Sequence, residues 1–560
     1  MFAARLAPPK AAAALLVVVL AVAAWVYGSG LGEPVLLDDP NDAQYAEVAR
    51  EMVESGEWLS PQLDGVLFLN KPPLAYWLIG VSYKIFGVSE LAARLPGALS
   101  ALVLAWLMWR LGCALWNEWV GLNAAAVWLG TAGVLIEARF VRPDLLLTAA
   151  VAGALLACTR LRQCPTDRWA LISWQVALAA ALLAKGIVGL LLPGGALVVA
   201  VLAAGRAELV RTLSHPRAWW LFALLVVPWH VVAGLRHAGF AWDYIVNQHL
   251  LFFLDRKIPR DSEGIALWHF WAAFAARLFP WTVFVPLAAV KLRPRGDFSR
   301  RWAGGLVLGW AAAVMALFSA AGSRLEHYAI PALPACALMV GALFHNGLGR
   351  ALLIAHVLPL IGTGVGMVLV VPPLLASADF LEAATGLPEL SRLAGYVFTA
   401  AAVAMLALAA VRPRLAAGPV LVAMCALVPI MRQGLTMMAP FNSSAPLAAV
   451  INNVAAAGDT LVYEAPIEYQ SGAGLFFYTR RKWAVLRPAG FVPPPYLAPH
   501  QGELFIDRAE LERRWHGAER IFLVSDPLAR GRQSMVGIVP EPMWVVAHIG
   551  NRWIVSNQSP

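Results

Sequence analysis

Charge is what this sequence has least of. Only 14% of its 560 residues are Asp, Glu, Lys or Arg, while 60% are hydrophobic, and a chain of that length with so few ionic groups cannot keep a solvated surface around its cores. A soluble globular protein is therefore excluded, and a bilayer must be the solvent for most of the chain. Cysteine is also scarce. The five, Cys113, Cys158, Cys164, Cys336 and Cys425, are scattered through apolar stretches without a CxxC pair. That excludes a secreted disulfide scaffold and leaves them as small buried apolar side chains. The C-terminal tail carries no nucleotide-binding glycine motif and no metal-ligand cluster.

Long apolar runs are what the chain has in quantity. The first, Ala11 to Tyr27, follows Arg5 and Lys10 and reads as a retained signal anchor rather than a cleaved leader. Further runs are centred near residues 103, 127, 151, 177, 196, 225, 278, 311, 336, 362, 401 and 426. Each is long enough to cross a hydrocarbon core of about 30 Å. The expectation is thirteen transmembrane helices, give or take one.

The formal charge of +9 sits mainly in short loops between these runs, so it speaks for orientation in a membrane and against a nucleic-acid partner. With a cytoplasmic N-terminus, alternate loops should collect Lys and Arg. They hold Arg110, then Arg160, Arg162 and Arg168, then Arg206, Arg211 and Arg217, then Lys291 to Arg301, then Arg350, then Arg412 and Arg414. The pattern holds at every turn and places the tail from about Arg432 on the outer side.

The outer loops differ in kind. Residues 31–88 and 235–265 are long, whereas the loops near Arg139, Lys185 and Arg324 are short and carry isolated charges. Cations on the outer side run against the orientation rule, so they need another reason, and a site at the outer membrane face supplies one. From Asn442 the composition changes to short alternating strands and helices: Thr460–Glu464, Phe476–Leu486, Glu510–Trp515, Ile521–Ser525, Met543–His548 and Trp553–Val555. That pattern predicts a small α/β domain.

Asp42 stands where an N-cap would, since small and apolar residues recur at helical spacing from Ala43 onward. Capping is one reading of it, as it is of Asp38 and Asp39; catalysis or substrate binding is the other for Asp42. Lys71 precedes Pro72-Pro73, a pair that fixes the backbone and starts a helix, so it is either a snorkelling interfacial lysine or an anion-binding one. Asp144 falls in the first turn of an apolar helix, where it could cap, yet Arg139 and Arg142 lie beside it. With Lys71, Lys185 and Arg324, the last in the run Gly322 to Tyr328, these make a candidate phosphate or pyrophosphate pocket.

Four runs carry a resemblance: Asp42–Met52, Asn70–Trp77 (NKPPLAYW), Gly87–Pro96 (GVSELAARLP) and Ala184–Pro193 (AKGIVGLLLP). Together they resemble the superfamily of bacterial aminoarabinose transferases and protein O-mannosyltransferases, multi-spanning GT-C glycosyltransferases that use a polyprenyl-phosphate sugar. Gly458–Trp483 and Ala509–Asp526 look like the periplasmic domain of the aminoarabinose branch. The resemblance implies an α-helical polytopic fold with a small C-terminal α/β periplasmic domain. It divides the chain into a transmembrane glycosyltransferase part, residues 1–435 with outer loops 31–88 and 235–265, and a soluble part, residues 436–560.

It further implies a bacterial inner-membrane enzyme that moves a sugar from a polyprenyl (undecaprenyl) phosphate donor to an outer-side acceptor. Lipid A or another glycolipid is the leading acceptor; a protein hydroxyl is an alternative. Carried over by position, Asp42 and Asp144 are the catalytic acids, and Lys71, Arg139, Lys185, Arg324 and Tyr328 hold the donor phosphate. Relatives usually carry Asp-Glu where this chain has Asn41-Asp42, and a metal-associated glutamate where it has Asn70. A divalent metal is thus open rather than implied, with His249 and His269 as the only histidine candidates. A flippase of polyprenyl-linked sugars would also need many spans and an outer phosphate pocket, but it would favour charges near the bilayer middle.

Overall fold

The computed structural model describes residues 10–33, 35–36, 41–205, 207–258, 264–345, 350–376, 385–411, 417–464, 469–487, 504–525 and 539–559. Asp38, Asp39, Arg206, Arg412 and Arg414 lie outside the described residues. Nine helices open the chain: α1 (Lys10–Gly28), α2 (Asn41–Ser55), α3 (Leu74–Phe86), α4 (Glu90–Leu115), α5 (Glu118–Leu129), α6 (Ala132–Glu137), α7 (Asp144–Gln163), α8 (Arg168–Lys185) and α9 (Val188–Ala204). Their ends obey local chemistry. Ser89, Asn117 and Asp167 each accept a hydrogen bond from a first-turn amide of α4, α5 and α8, which satisfies donors that a helix start leaves unpaired.

Seven helices among the described residues are long and apolar enough to cross a membrane, and an eighth span follows if Leu267–Arg277 and Thr282–Lys291, bent by 105°, count as one. Every centre read from the sequence falls on a helix or on this bent pair. The count of thirteen is not established, because α9 and Trp220–Arg236 fall short of a full span and α5 has 12 residues.

Where helices cross, glycine lets backbones approach, as lipid-embedded packing requires. A Cβ on Gly112 of α4 would stand 2.4 Å from the Cα of Gly121 in α5, and one on Gly121 would stand 2.3 Å from the carbonyl oxygen of Trp109. Nearby, the buried Trp128 indole donates to Ala101 O at 2.9 Å and the Tyr27 hydroxyl to Leu129 O at 2.8 Å, so α1, α4 and α5 are tied as well as packed.

The long first loop forms its own layer. Helix α2 packs on α3, and a two-stranded hairpin, β1 (Gln62–Leu63) and β2 (Val66–Leu67), lies between them in sequence. Against this layer stands a six-stranded sheet in the order β5-β4-β3-β6-β8-β7. Its strands are β3 (Thr460–Glu464), β4 (Ala484–Leu486), β5 (Phe505–Ile506), β6 (Ile521–Ser525), β7 (Trp544–Ile549) and β8 (Arg552–Ser556). β3 to β6 pair in parallel; β8 runs antiparallel to β6 and to β7.

Both faces of the central strands are covered, as their unbroken apolar runs demand. Leu461 and Tyr463 of β3 join a core with α2 and α3, while Val462 faces Leu511 and Trp515 on the other side. The stretch Phe476–Leu486 divides between helix Ala473–Thr479 and β4, and β5, at two residues, is too short for alternation to reveal.

Candidate active site

Antiparallel packing of α7 and α8 brings the first residue of one beside the last residue of the other, 41 positions later. Asp144 Oδ1 and Lys185 Nζ meet at 2.5 Å, with the two side chains 2% and 12% exposed. A carboxylate at a helix start and an ammonium at a helix end both complement the helix dipoles, so the pair is stabilised before any ligand arrives. Lys185 Nζ also stands 4.5 Å from the Tyr328 ring centroid.

Two cavities meet at this pair. One, about 830 Å³, is walled almost wholly by apolar side chains such as Leu182, Val188, Leu191, Val227 and Phe253. The other, about 200 Å³, is polar and is lined by Asn41, Gln44, Asn70, Arg142, Asp144 and Gln470, among others. Asn70, Lys71, Lys185, Phe252 and Tyr328 line both and so form the junction. Lys71 Nζ stands 5.7 Å from the Phe252 ring centroid. An apolar groove that ends in lysines and opens into a polar chamber has the form of a site for an amphiphile with an anionic joint.

The sequence-predicted residues do not all gather here. Lys71, Asp144, Lys185 and Tyr328 do. Asp42 does not line either cavity: its side chain is wholly buried, and Oδ1 accepts the backbone N–H of Val141 at 2.6 Å. The residue of α2 that reaches the chamber is Asn41. One position along a helix turns a side chain by about 100°, which is enough to exchange a chamber wall for an internal brace. The Asp42→Ala variant should therefore lose about 1–3 kcal/mol of stability by leaving the buried Val141 amide unpaired. Its thermal unfolding midpoint should fall.

Arg139 also lies away from the two cavities. Its guanidinium donates to Leu135 O and Val26 O, each at 3.0 Å, joining α6 to the end of α1 instead of facing either cavity. Arg324 likewise donates to Ile265 O at 3.0 Å and Ser319 O at 3.3 Å, both of them carbonyls that a broken backbone leaves open. Arg142, three residues from Arg139, is the arginine that lines the chamber. Buried Glu137 holds it at 3.6 Å and Arg277 at 3.7 Å. Arg142 was visible in the sequence beside Asp144; Gln470, more than 300 residues away, carried no signal at all.

The weak metal candidates are engaged otherwise. His249 Nδ1 lies 2.5 Å from Tyr244 O, and Nε2 lies 3.3 Å from the Ile187 amide. With Nδ1 as donor and Nε2 as acceptor the ring is neutral, and burial holds its pKa below the usual imidazole range. Gly186, at φ +72°, permits this approach: a Cβ there would stand 2.1 Å from His249 Nε2. His269 pairs with Glu326 at 3.0 Å, both well exposed. Asn70, a neutral amide, accepts from Gln248 at 3.3 Å. No group of three or more His, Cys, Asp or Glu side chains suited to a metal occurs among the described residues. This donor set of amides and an occupied imidazole does not fit a divalent ion.

Residues 70–232 match the family model described as dolichyl-phosphate-mannose-protein mannosyltransferase. The undecaprenyl phosphate-alpha-4-amino-4-deoxy-L-arabinose arabinosyl transferase 1 of Proteus mirabilis is 27% identical over 305 residues, 53% of this chain and 54% of that protein. Its namesake in Pseudomonas fluorescens Pf0-1 is 29% identical over 313 residues, 54% of this chain and 53% of that protein. The chain thus spans about half the length of the curated relatives it matches.

The likeness of fold runs much further. ArnT from Cupriavidus metallidurans bound to undecaprenyl phosphate superposes with a TM-score of 0.78 at 22% identity, covering 97% of this chain and 98% of that one. The resemblance to the aminoarabinose transferase and O-mannosyltransferase superfamily read from the motifs is borne out, and the chain is a polytopic membrane protein with a small C-terminal α/β sheet.

Proposed function

We propose that this chain transfers a sugar from a polyprenyl phosphate, undecaprenyl phosphate by its relatives' names, to an acceptor on the outer side of the membrane, best a lipid such as lipid A. The observation that carries the reading is the junction itself: Lys71 and Lys185 stand where the 830 Å³ apolar groove meets the 200 Å³ polar chamber. A prenyl chain fills the groove, the phosphate rests at the lysines, and the sugar enters the chamber. The positive-loop pattern supports a cytoplasmic N-terminus and, with it, a periplasmic C-terminal sheet and chamber.

The chemistry is displacement at the anomeric carbon with polyprenyl phosphate leaving. That group is a weak base, so cations that hold its growing charge suffice and no strong acid is needed. Lys185 and Lys71 perform this role. Asp144 keeps the Lys185 ammonium at the junction through their 2.5 Å ion pair. An acceptor phosphate is already nucleophilic and needs no base, whereas a hydroxyl would, which supports a phosphorylated lipid over a protein hydroxyl.

The test is movement of label from radiolabelled polyprenyl-phosphate sugars into a total lipid and protein extract, with the purified chain and its Lys71→Ala variant side by side. Label should pass to the lipid fraction with the intact chain alone. Label in protein would change the acceptor; donor binding without any transfer would sink the enzyme reading in favour of a flippase.

A further inference from the structure

The chamber's own chemistry says which sugars it takes. Its charged lining consists of Lys71, Arg142, Lys185 and the single carboxylate Asp144, and that carboxylate is already held by Lys185 at 2.5 Å. Arg142 has buried Glu137 at 3.6 Å, so the carboxylates at and behind the chamber wall each already face a cation. A sugar bearing an ammonium group would meet no free counter-charge there and would lose its water. The remaining polar wall holds four amides, Asn41 and Gln44 on one face of α2, Asn70 before α3, and Gln470, beside His327 and the tyrosines Tyr45 and Tyr328.

Gln470 is the telling member. It comes from the C-terminal sheet, on the turn Tyr469–Gly472 that follows β3 and leads into helix Ala473–Thr479. That helix packs on α2, and the Tyr478 hydroxyl accepts the Leu36 amide at 2.9 Å, so the turn is clamped over the chamber. The turn fits tightly, since a Cβ on Gly472 would come within 2.7 Å of Phe476 and 2.9 Å of Tyr463. The Gln470 side chain is 7% exposed and lines the chamber, yet among the described residues its amide has no hydrogen-bond partner. It offers two donors and an acceptor to whatever fills the space, a match for adjacent sugar hydroxyls.

We infer that the chamber selects an uncharged, hydroxyl-bearing sugar, not a cationic amino sugar, and that Gln470, supplied by the C-terminal sheet, is its specificity-determining residue. This rests on the donor reading proposed above.

The experiment measures binding rather than transfer, so that the two readings fail separately. The full-length chain in lipid nanodiscs is titrated at neutral pH with undecaprenyl phosphate, with the same lipid carrying a neutral pentose, and with its 4-amino counterpart. The neutral sugar should bind about tenfold more tightly than the bare lipid phosphate, the size of one well-placed hydrogen-bond set, and the amino sugar should gain nothing. Gln470→Leu should erase the tenfold gain while leaving affinity for undecaprenyl phosphate within twofold, which also shows that the variant is folded. Gln470→Glu, the same size with a carboxylate, should reverse the preference toward the amino sugar. Equal or tighter binding of the amino sugar by the unaltered chain, or a Gln470→Leu chain that keeps the gain, overturns the inference. Loss of transfer with the binding pattern intact would overturn only the function proposed above.

Discussion

Lys185→Ala is expected to lower the rate of sugar transfer by about 10²- to 10³-fold, the usual cost of deleting one preorganised group that holds charge developing on a leaving oxygen. It should also destabilise the protein. The partner carboxylate, Asp144, is 2% exposed, and stripping a buried charge of its counter-ion costs about 3–5 kcal/mol. The two effects separate in a double variant. Lys185→Ala with Asp144→Asn removes the stranded charge, so the unfolding midpoint should recover most of its loss while transfer stays low. Recovery of transfer in that double variant would show that Lys185 serves only to neutralise Asp144. Steady-state rates and thermal unfolding in the same detergent decide the matter.

Gly112→Val should prevent folding outright. The α4–α5 crossing has no room for a side chain, and the nearest atoms to a Cβ at 112 are the backbone of Gly121 at 2.4 and 2.7 Å, which no rotamer change can move. Separating the two helices would open the core that Trp109 and Trp128 help to fill, a cost beyond the about 1–3 kcal/mol of ordinary overpacking because the clash is with backbone. The control is Gly194→Ala in α9, where a Cβ meets nothing within 4 Å. Gly112→Val should yield no monodisperse protein on size exclusion, and Gly194→Ala should match the parent. A Gly112→Val chain that purifies normally would mean that the crossing is looser than its geometry.

The sequence by itself determined the solvent and the helices, and it marked several of the charged residues that line the two cavities. Sixty per cent apolar content leaves no alternative to a bilayer, and each apolar run fixed a helix because a chain in hydrocarbon must satisfy its backbone internally. Lys71, Asp144 and Lys185 were legible for the converse reason: a charge beside an apolar helix is costly enough to need a purpose. β3 and β6 were legible from short apolar runs bounded by polar residues.

Tertiary structure decided which polar side chains face the chamber. Asn41 and Asp42 differ by one residue, and Arg139 and Arg142 by three, yet one of each pair lines the chamber and the other braces backbone. Such choices turn on helix rotation, and rotation is set by packing against segments distant in sequence, as Val141 is from Asp42 and Val26 from Arg139. Gln470 is the extreme case. Nothing near it in the sequence marks it, because its place over the chamber is made by helix Ala473–Thr479 resting on α2, a contact between surfaces that only the folded chain brings together.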